Sequence, residues 1–378
     1  MHISRRMLLG GATAAAALTP VLSGAATTDA ALLAAKMQGT ATPGMAALVI
    51  RNFRPERELV AGRRRLGADA RVQPGDRWHL GSNGKAIVAT MVARLVERGD
   101  LGWDRPLARM LPQFAATMHE SYRDVTLPEL FSHRSGLPHD LSDVQDGFFS
   151  ALFTDQTPLP AQRLRYLDRA LREPPAAAKR TEVSYSNTGY VVAAACAENA
   201  TGRAFEALVV EEVFAPLRMS SISFDPFGGG GPIGHRDGRV ADRPSDTNPR
   251  MFAPAGGISM SLPDWSRFCI DHMHGEHGRG RLLSGETYRL LHKPQDAGGF
   301  SALGWGYVPS FLGRRGPALF HAGSDGNWTS VVMLFCQTGN GVLVASNAYQ
   351  SMGGERVVHE TMRAIVPLIA EAEPVAAK

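Results

Sequence analysis

The chain has 378 residues, more than one hydrophobic core usually organises, so two lobes are expected. Its 44% hydrophobic and 20% charged content excludes a disordered chain. The formal net charge is only +4, and the arginines are scattered apart from Arg63, Arg64 and Arg65. They read as solvated surface charge, so no nucleic-acid partner is expected.

In chain order, the first feature is an address. Residues 1–26 have a basic start, an apolar stretch from Met7 to Leu22, and small residues at 23–26, with cleavage expected near Ala25 or Ala26. Ser4-Arg5-Arg6-Met7-Leu8 resembles a twin-arginine export signal, which implies a periplasmic or secreted protein. The apolar stretch is short for a bilayer span and no other stretch qualifies, so no stable membrane insertion is expected once the signal is cleaved. The alternative is an uncleaved anchor.

Residues 30–38 read as a short helix. "GMAALVIRNF" and "RELVAGRRRLG" read as adjacent strands. A helix over 83–98 follows, with Ile87, Val88, Met91, Val92, Leu95 and Val96 on one apolar face and a stop at Gly99. The middle is helical and rich in loops, and "FGGGGPIGHRDG" lacks the ending of a phosphate loop, so it reads as a flexible loop near the cleft. From about residue 300 strands return in "ALGWGYVPS", "PALFHAG", "NWTSVVMLFC" and "NGVLVASNA", the last two joined by the hairpin signal "QTGN". A final helix spans 353–371. Strands at both ends with helices between predict an antiparallel sheet built from the two termini. The expected division is an α/β lobe from 27–81 and 255–378, and a mostly helical lobe over 82–254.

Cys196, Cys269 and Cys336 each lie in an apolar run and read as small buried residues, not a disulfide framework. "DHMHGEHGRG" crowds Asp271, His272, His274, Glu276 and His277. Such a set has zinc-ligand chemistry, but its Gly-rich setting predicts an exposed turn, and no metal or cofactor is expected. His133 and His139 read as turn residues.

Three signals carry chemistry. In "LGSNGK", Ser82 stands at a helix start with Lys85 three residues on, and the chain has only five lysines. Residues three apart on a helix share a face, the helix dipole favours an alkoxide-like serine, and burial would lower the lysine pKa. In "EVSYSNTG", Tyr185 and Asn187 lie in a turn before a helix that stops at Gly202. A tyrosine beside a lysine ammonium would have a lowered pKa and accept a proton. The alternative is that Tyr185 packs and Asn187 caps the helix. In "FHAGSDG", His321, Ala322 and Gly323 end a strand before Ser324, and the glycine would let a substrate lie along the strand edge.

In this order the three signals resemble the serine β-lactamase and penicillin-binding protein family, for which Ser-x-x-Lys is a signature. The nearest branch holds class C β-lactamases, D-alanyl-D-alanine carboxypeptidases, D-aminopeptidases and family VIII esterases. "ELFSHRSGLPHD" and "GGISMSLPDWSRF" resemble that branch too. The resemblance implies an α/β (α+β) fold with a five-stranded antiparallel core sheet flanked by helices, beside a mostly helical lobe. It implies Ser82 as nucleophile, Lys85 as its partner, Tyr185 as general base and leaving-group acid, and Asn187 as a contact for the acyl side chain. The backbone N–H groups of Ser82 and Ser324 would form the oxyanion hole, and His321 and Gly323 would line the substrate site. The reading is an exported serine hydrolase that takes a small-molecule or peptide substrate and cleaves an ester or amide through acyl-Ser82. A weak class C-like β-lactamase and a non-turnover penicillin-binding sensor are the rivals. His321 replaces the lysine of the Lys-Thr-Gly motif, which argues against efficient β-lactam hydrolysis. Protonation of His321 toward pH 6 would restore some hold on a carboxylate.

Overall fold

The computed structural model describes residues 29–142, 146–228 and 230–371; the expected export signal lies outside them. One sheet, covered on both faces, organises the fold. Its first strand, β1 (Gly44–Arg51), is buried at every residue but the last. Side chains alternate across a strand, so Met45, Ala47 and Val49 enter one core while Ala46, Leu48 and Ile50 enter the other. β2 (Arg54–Gly62) follows by a tight turn. The remaining strands are β3 (Gly306–Phe311), β4 (Arg314–Ser324), β5 (Thr329–Phe335) and β6 (Asn340–Ser346). All pairings are antiparallel, in the order β2-β1-β6-β5-β4-β3. Leu48 faces Leu343 and Val49 faces Val342, so the two ends of the chain meet in the middle of the sheet. The sheet has six strands, which corrects the expected five. Leu312 and Gly313, both at positive φ, turn the chain so that the "ALGWGYVPS" segment pairs with β4 as a full edge strand.

The helices in chain order are α1 (Asp29–Met37), α2 (Gly84–Glu97), α3 (Leu159–Ala170), α4 (Asn187–Thr201), α5 (Leu262–Glu276), α6 (Gly285–His292) and α7 (Gly354–Ile369), with shorter helical turns between them. α1 and α7 cover one face of the sheet. In α7, Val358, Met362, Ile365, Val366 and Ile369 form the buried stripe, and Glu355, Arg356 and Glu360 lie off it. Fully burying one such aliphatic side chain contributes about 1.5–3 kcal/mol, so the stripe fixes the helix on the sheet. α5 packs on the opposite face, with the helical region beyond it. Among the described residues no helix is long and apolar enough to cross a membrane.

α2 differs from its expected one-sided form. Every residue from Gly84 to Ala93 is buried, as is Leu95. α4 and the turn Ala253–Gly256 pack around it, and Ala86 and Ala89 let the chain at Gly304 approach, where a Cβ would lie 3.0 Å from Ala86 Cα. A helix apolar on all sides is a core helix, so Lys85 enters a low-dielectric environment without leaving its helical turn.

Two further expectations are corrected. The histidine-rich segment is an exposed turn only from His277 on: residues up to Glu276 continue α5, and Asp271 and His272 are buried. Asp271 accepts hydrogen bonds from the Tyr288 hydroxyl and the Arg281 N–H, and burying those partners favours helix over turn. Part of the Gly-rich segment is tied down: Ile233 N–H donates to Arg64 O, and the Trp328 indole donates to Pro232 O at 2.9 Å. Gly234 packs so closely on the Trp328 ring that a Cβ there would lie 2.6 Å from it. Cys196, Cys269 and Cys336 are free and buried.

Candidate active site

Two glycines bring the start of α2 against the end of β4. Gly81 has φ +52°, and a Cβ there would lie 2.4 Å from Ser324 N. A Cβ on Gly323 would lie 2.1 Å from Leu80 O and 2.8 Å from Ser82 N. The atoms that demand glycine at 323 therefore belong to the turn carrying Ser82. The same contact brings the backbone nitrogens of Ser82 and Ser324 to one junction. The Ser324 hydroxyl is committed elsewhere, donating to Trp328 O at 2.6 Å. Pairing of β4 with β3 ends at Phe320, so residues 321–324 have no strand partner on that side among the described residues.

Asn83 staples the turn in place. Its side-chain amide donates to Leu80 O at 3.1 Å and to Ser330 Oγ at 2.8 Å, and Ser330 Oγ donates to Leu80 O at 2.9 Å. The sequence reading missed Asn83, although it stands next to Ser82.

Ser82 is half-buried, with its Oγ 3.0 Å from Lys85 Nζ. The Tyr185 hydroxyl donates to the same Oγ at 2.6 Å. Lys85 is fully buried, and its Nζ also contacts Asn187 Oδ1 at 2.8 Å and Ala255 O at 2.5 Å. Burial pushes the Lys85 ammonium well below the ordinary lysine range, only partly opposed by the charge of Asp140. The three contacts suit an ammonium donating to all three oxygens, and they suit the amine as well. A neutral amine has two N–H donors and one lone pair. Asn187 Oδ1 and Ala255 O are acceptors and take the two N–H groups, which leaves the lone pair for the Ser82 hydroxyl. The role of Ala255 was not readable, because a backbone carbonyl has no sequence signature.

Tyr185 departs from expectation. Packing around it pushes the phenol up, and its hydrogen bond to Ser82 offsets only part of that rise. A lowered pKa would require a neighbouring cation, and Lys85 is itself driven toward the neutral amine. Tyr185 is therefore a neutral donor. Its ring stacks on His133 with centroids 4.2 Å apart. His133 has φ +58°, and its Nδ1 accepts the Ser186 N–H at 3.0 Å. The histidine is a turn residue, as read, and also the platform under Tyr185. His139 acts through its carbonyl, which accepts the N–H groups of Asn187 and Thr188. The helix cap is Ser186, whose Oγ accepts from Gly189 N at 3.0 Å, so Asn187 is free to hold Lys85.

His321 is buried, and its Nδ1 lies 2.8 Å from Ala322 O, which makes Nδ1 the protonated nitrogen. Burial is the main cause that drives its pKa down to about 3. That shift runs against charging toward pH 6, and so against the expected hold on a carboxylate at that pH. A pocket of about 140 Å³ lies beside Tyr185 and His321, walled by Phe131, Phe300, Trp305 and Phe320. A larger cavity of about 480 Å³ is lined by His79, Gln162, Phe227 and Arg250 among others; Ser82 is in the lining of neither, and its partner Tyr185 lines the smaller one. Among the described residues no three potential ligands converge on a metal site.

A family model described as Beta-lactamase matches residues 30–366. Penicillin-binding protein 4 of Amycolatopsis lactamdurans is 27% identical over 306 residues, covering 76% of this chain and 76% of its own. The D-alanyl-D-alanine-carboxypeptidase/endopeptidase AmpH of Escherichia coli (strain K12) is 25% identical over 310 residues, covering 78% of this chain and 77% of its own. The octameric penicillin-binding protein homologue from Pyrococcus abyssi superposes with a TM-score of 0.72 at 20% identity, over 89% of this chain and 75% of its own, a likeness of fold.

Proposed function

Since the chain belongs to the β-lactamase family, and its relatives point to serine hydrolase activity, we propose that it cleaves an ester or amide bond, including those of D-amino-acid peptides, through an acyl intermediate on Ser82. The observation that carries this reading is the convergence of Lys85 Nζ and the Tyr185 hydroxyl on one serine oxygen, at 3.0 and 2.6 Å.

A serine hydroxyl needs a base, an acid for the leaving group and a site for the oxyanion. The neutral Lys85 amine takes the Ser82 proton as Oγ attacks the carbonyl carbon. The backbone N–H groups of Ser82 and Ser324 receive the oxyanion. Tyr185 gives its proton to the departing nitrogen or oxygen and recovers the one held by Lys85. Water then enters by the reverse sequence, releasing the acid and restoring Ser82. Base function thus sits with Lys85, and Tyr185 keeps the leaving-group role.

The name of the D-alanyl-D-alanine carboxypeptidase relative supports a D-amino-acid peptide, and that of the penicillin-binding relative supports acylation by β-lactams. The basic and apolar leader at residues 1–26 supports export, which cell fractionation tests. The functional test is hydrolysis of p-nitrophenyl esters and D-amino-acid p-nitroanilides by wild type and Ser82→Ala. Steady turnover after a burst, lost in the variant, is expected. A burst without turnover would favour a sensor, and turnover surviving in Ser82→Ala would overturn the assignment.

A further inference from the structure

On the reading of a Ser82 acyl-enzyme, we propose that the leaving-group side of this site selects an uncharged, apolar group and discriminates against a carboxylate. The side is fixed by Tyr185, the group placed to protonate what departs. Its ring is one wall of the 140 Å³ pocket. The remaining walls are mostly aromatic: Phe131, Phe300, Phe320 and Trp305, whose indole N–H has no partner among the described residues, with Ser301 donating to Ser132 O and Val183 at the rim and 47% exposed. Among the described residues no lysine or arginine lines the pocket.

The lining's two histidines supply no positive charge. Burial drives His133 well below its ordinary range and His321 down to about 3, so both are neutral at physiological pH. His133 spends Nδ1 on the Ser186 N–H. His321 spends its Nδ1 proton on Ala322 O, which leaves Nε2 as an acceptor. The pocket therefore combines one acceptor, two neutral donors in the Tyr185 phenol and the Trp305 indole, and aromatic walls. It suits an aryl or alkyl leaving group carrying an N–H or O–H. A carboxylate brought there would lose hydration and find a lone pair, ring faces and only neutral donors in return, with no cation to offset the cost. The prediction separates this chain from a hydrolase that must grip a free C-terminal carboxylate beside the scissile bond.

The test uses two acetate esters of similar intrinsic reactivity, phenyl acetate and 3-carboxyphenyl acetate, so that acyl group and chemistry are shared. In wild type, kcat/KM for the neutral ester is expected to exceed that for the charged one by about tenfold or more, the scale of one missing charge-assisted hydrogen bond. Val183→Lys places a cation at the exposed rim, where it should not disturb folding, and is expected to narrow the ratio. His321→Lys is expected to narrow it further if the variant folds. Equal kcat/KM for the two esters in wild type, or a ratio that Val183→Lys leaves unchanged, would overturn the proposal while leaving acyl-Ser82 chemistry intact. Failure of the underlying reading looks different: neither ester would then show hydrolysis that depends on Ser82, and both proposals would fall together.

Discussion

Lys85 and Thr90 stand five residues apart on α2, and each anchors a chain of buried polar groups made of catalytic-looking residues. The Thr90 hydroxyl donates to Ala86 O and meets His272 Nε2 at 2.9 Å; His272 Nδ1 meets His292 Nε2 at 2.8 Å; and His292 Nδ1 bonds Glu276. That chain holds two histidines and a carboxylate, as many acid–base groups as Lys85, Tyr185 and His321 give the site. Yet His272 is fully buried and His292 nearly so, and the chain closes on a carboxylate with its donors matched to acceptors. The Lys85 chain ends on a half-buried serine beside a pocket, with a lone pair directed at a reactive hydroxyl. The difference teaches that residue type does not make a site. A polar chain is catalytic where it stops short of satisfaction next to a space that admits substrate, and structural where it is closed.

The comparison breaks most visibly at Tyr185. Tyr185→Phe keeps the stack on His133 and removes the proton donor to the leaving group. Its kcat is expected to fall about 10²–10⁴-fold. Near-normal turnover, measured by stopped-flow with an ester substrate, would reduce Tyr185 to a packing residue.

The pH dependence of acylation follows in size. The competent form of Lys85 is the amine, so the rate should rise with pH through the lysine's lowered pKa and reach its plateau well below the ordinary lysine range. On the acid side it should fall about tenfold per pH unit as the ammonium forms. Tyr185, pushed up, and His321, near 3, add no inflection between pH 6 and 8. A pH–rate profile whose single inflection persists in Lys85→Arg would assign the base elsewhere.

The smallest catalytic effect belongs to the closed chain. His272→Leu leaves Thr90 and His292 short of a partner, and each such loss costs about 1–3 kcal/mol of stability. A lowered melting temperature with kcat near wild type is expected from calorimetry and steady-state kinetics. A loss of kcat comparable to that of Tyr185→Phe would mean that the two chains on α2 are coupled.

Much of this contrast was legible in residue order. Ser82 and Lys85 share a helix face by spacing, and Tyr185, Asn187 and His321 follow in motifs with few chemical readings. The sheet was legible as period-two and fully apolar runs at the two ends of the chain. What failed turns on enclosure, which spacing does not encode. Tyr185 was read beside an ammonium because nothing local says that α2 is wrapped on all sides and that Lys85 therefore loses its proton. The segment from Asp271 to Glu276 was read as a turn because its buried partners, Tyr288 and His292, lie some sixteen or seventeen residues further on, in α6. Ala255 holds Lys85 through a carbonyl, and Gly323 is required by a neighbour more than 240 positions earlier, Leu80. Long-range contacts of this kind decide the protonation state of the site, and they exist only in the fold.

The central claim is that Ser82 is the acylated residue. The direct measurement is peptide-mapping mass spectrometry of protein quenched during turnover, or after treatment with a fluorophosphonate or penicillin. The expected result is one adduct, on the peptide containing Ser82, absent from Ser82→Ala and slower to form in Lys85→Ala. An adduct on another serine, or Ser82→Ala that labels at the wild-type rate, would contradict the account.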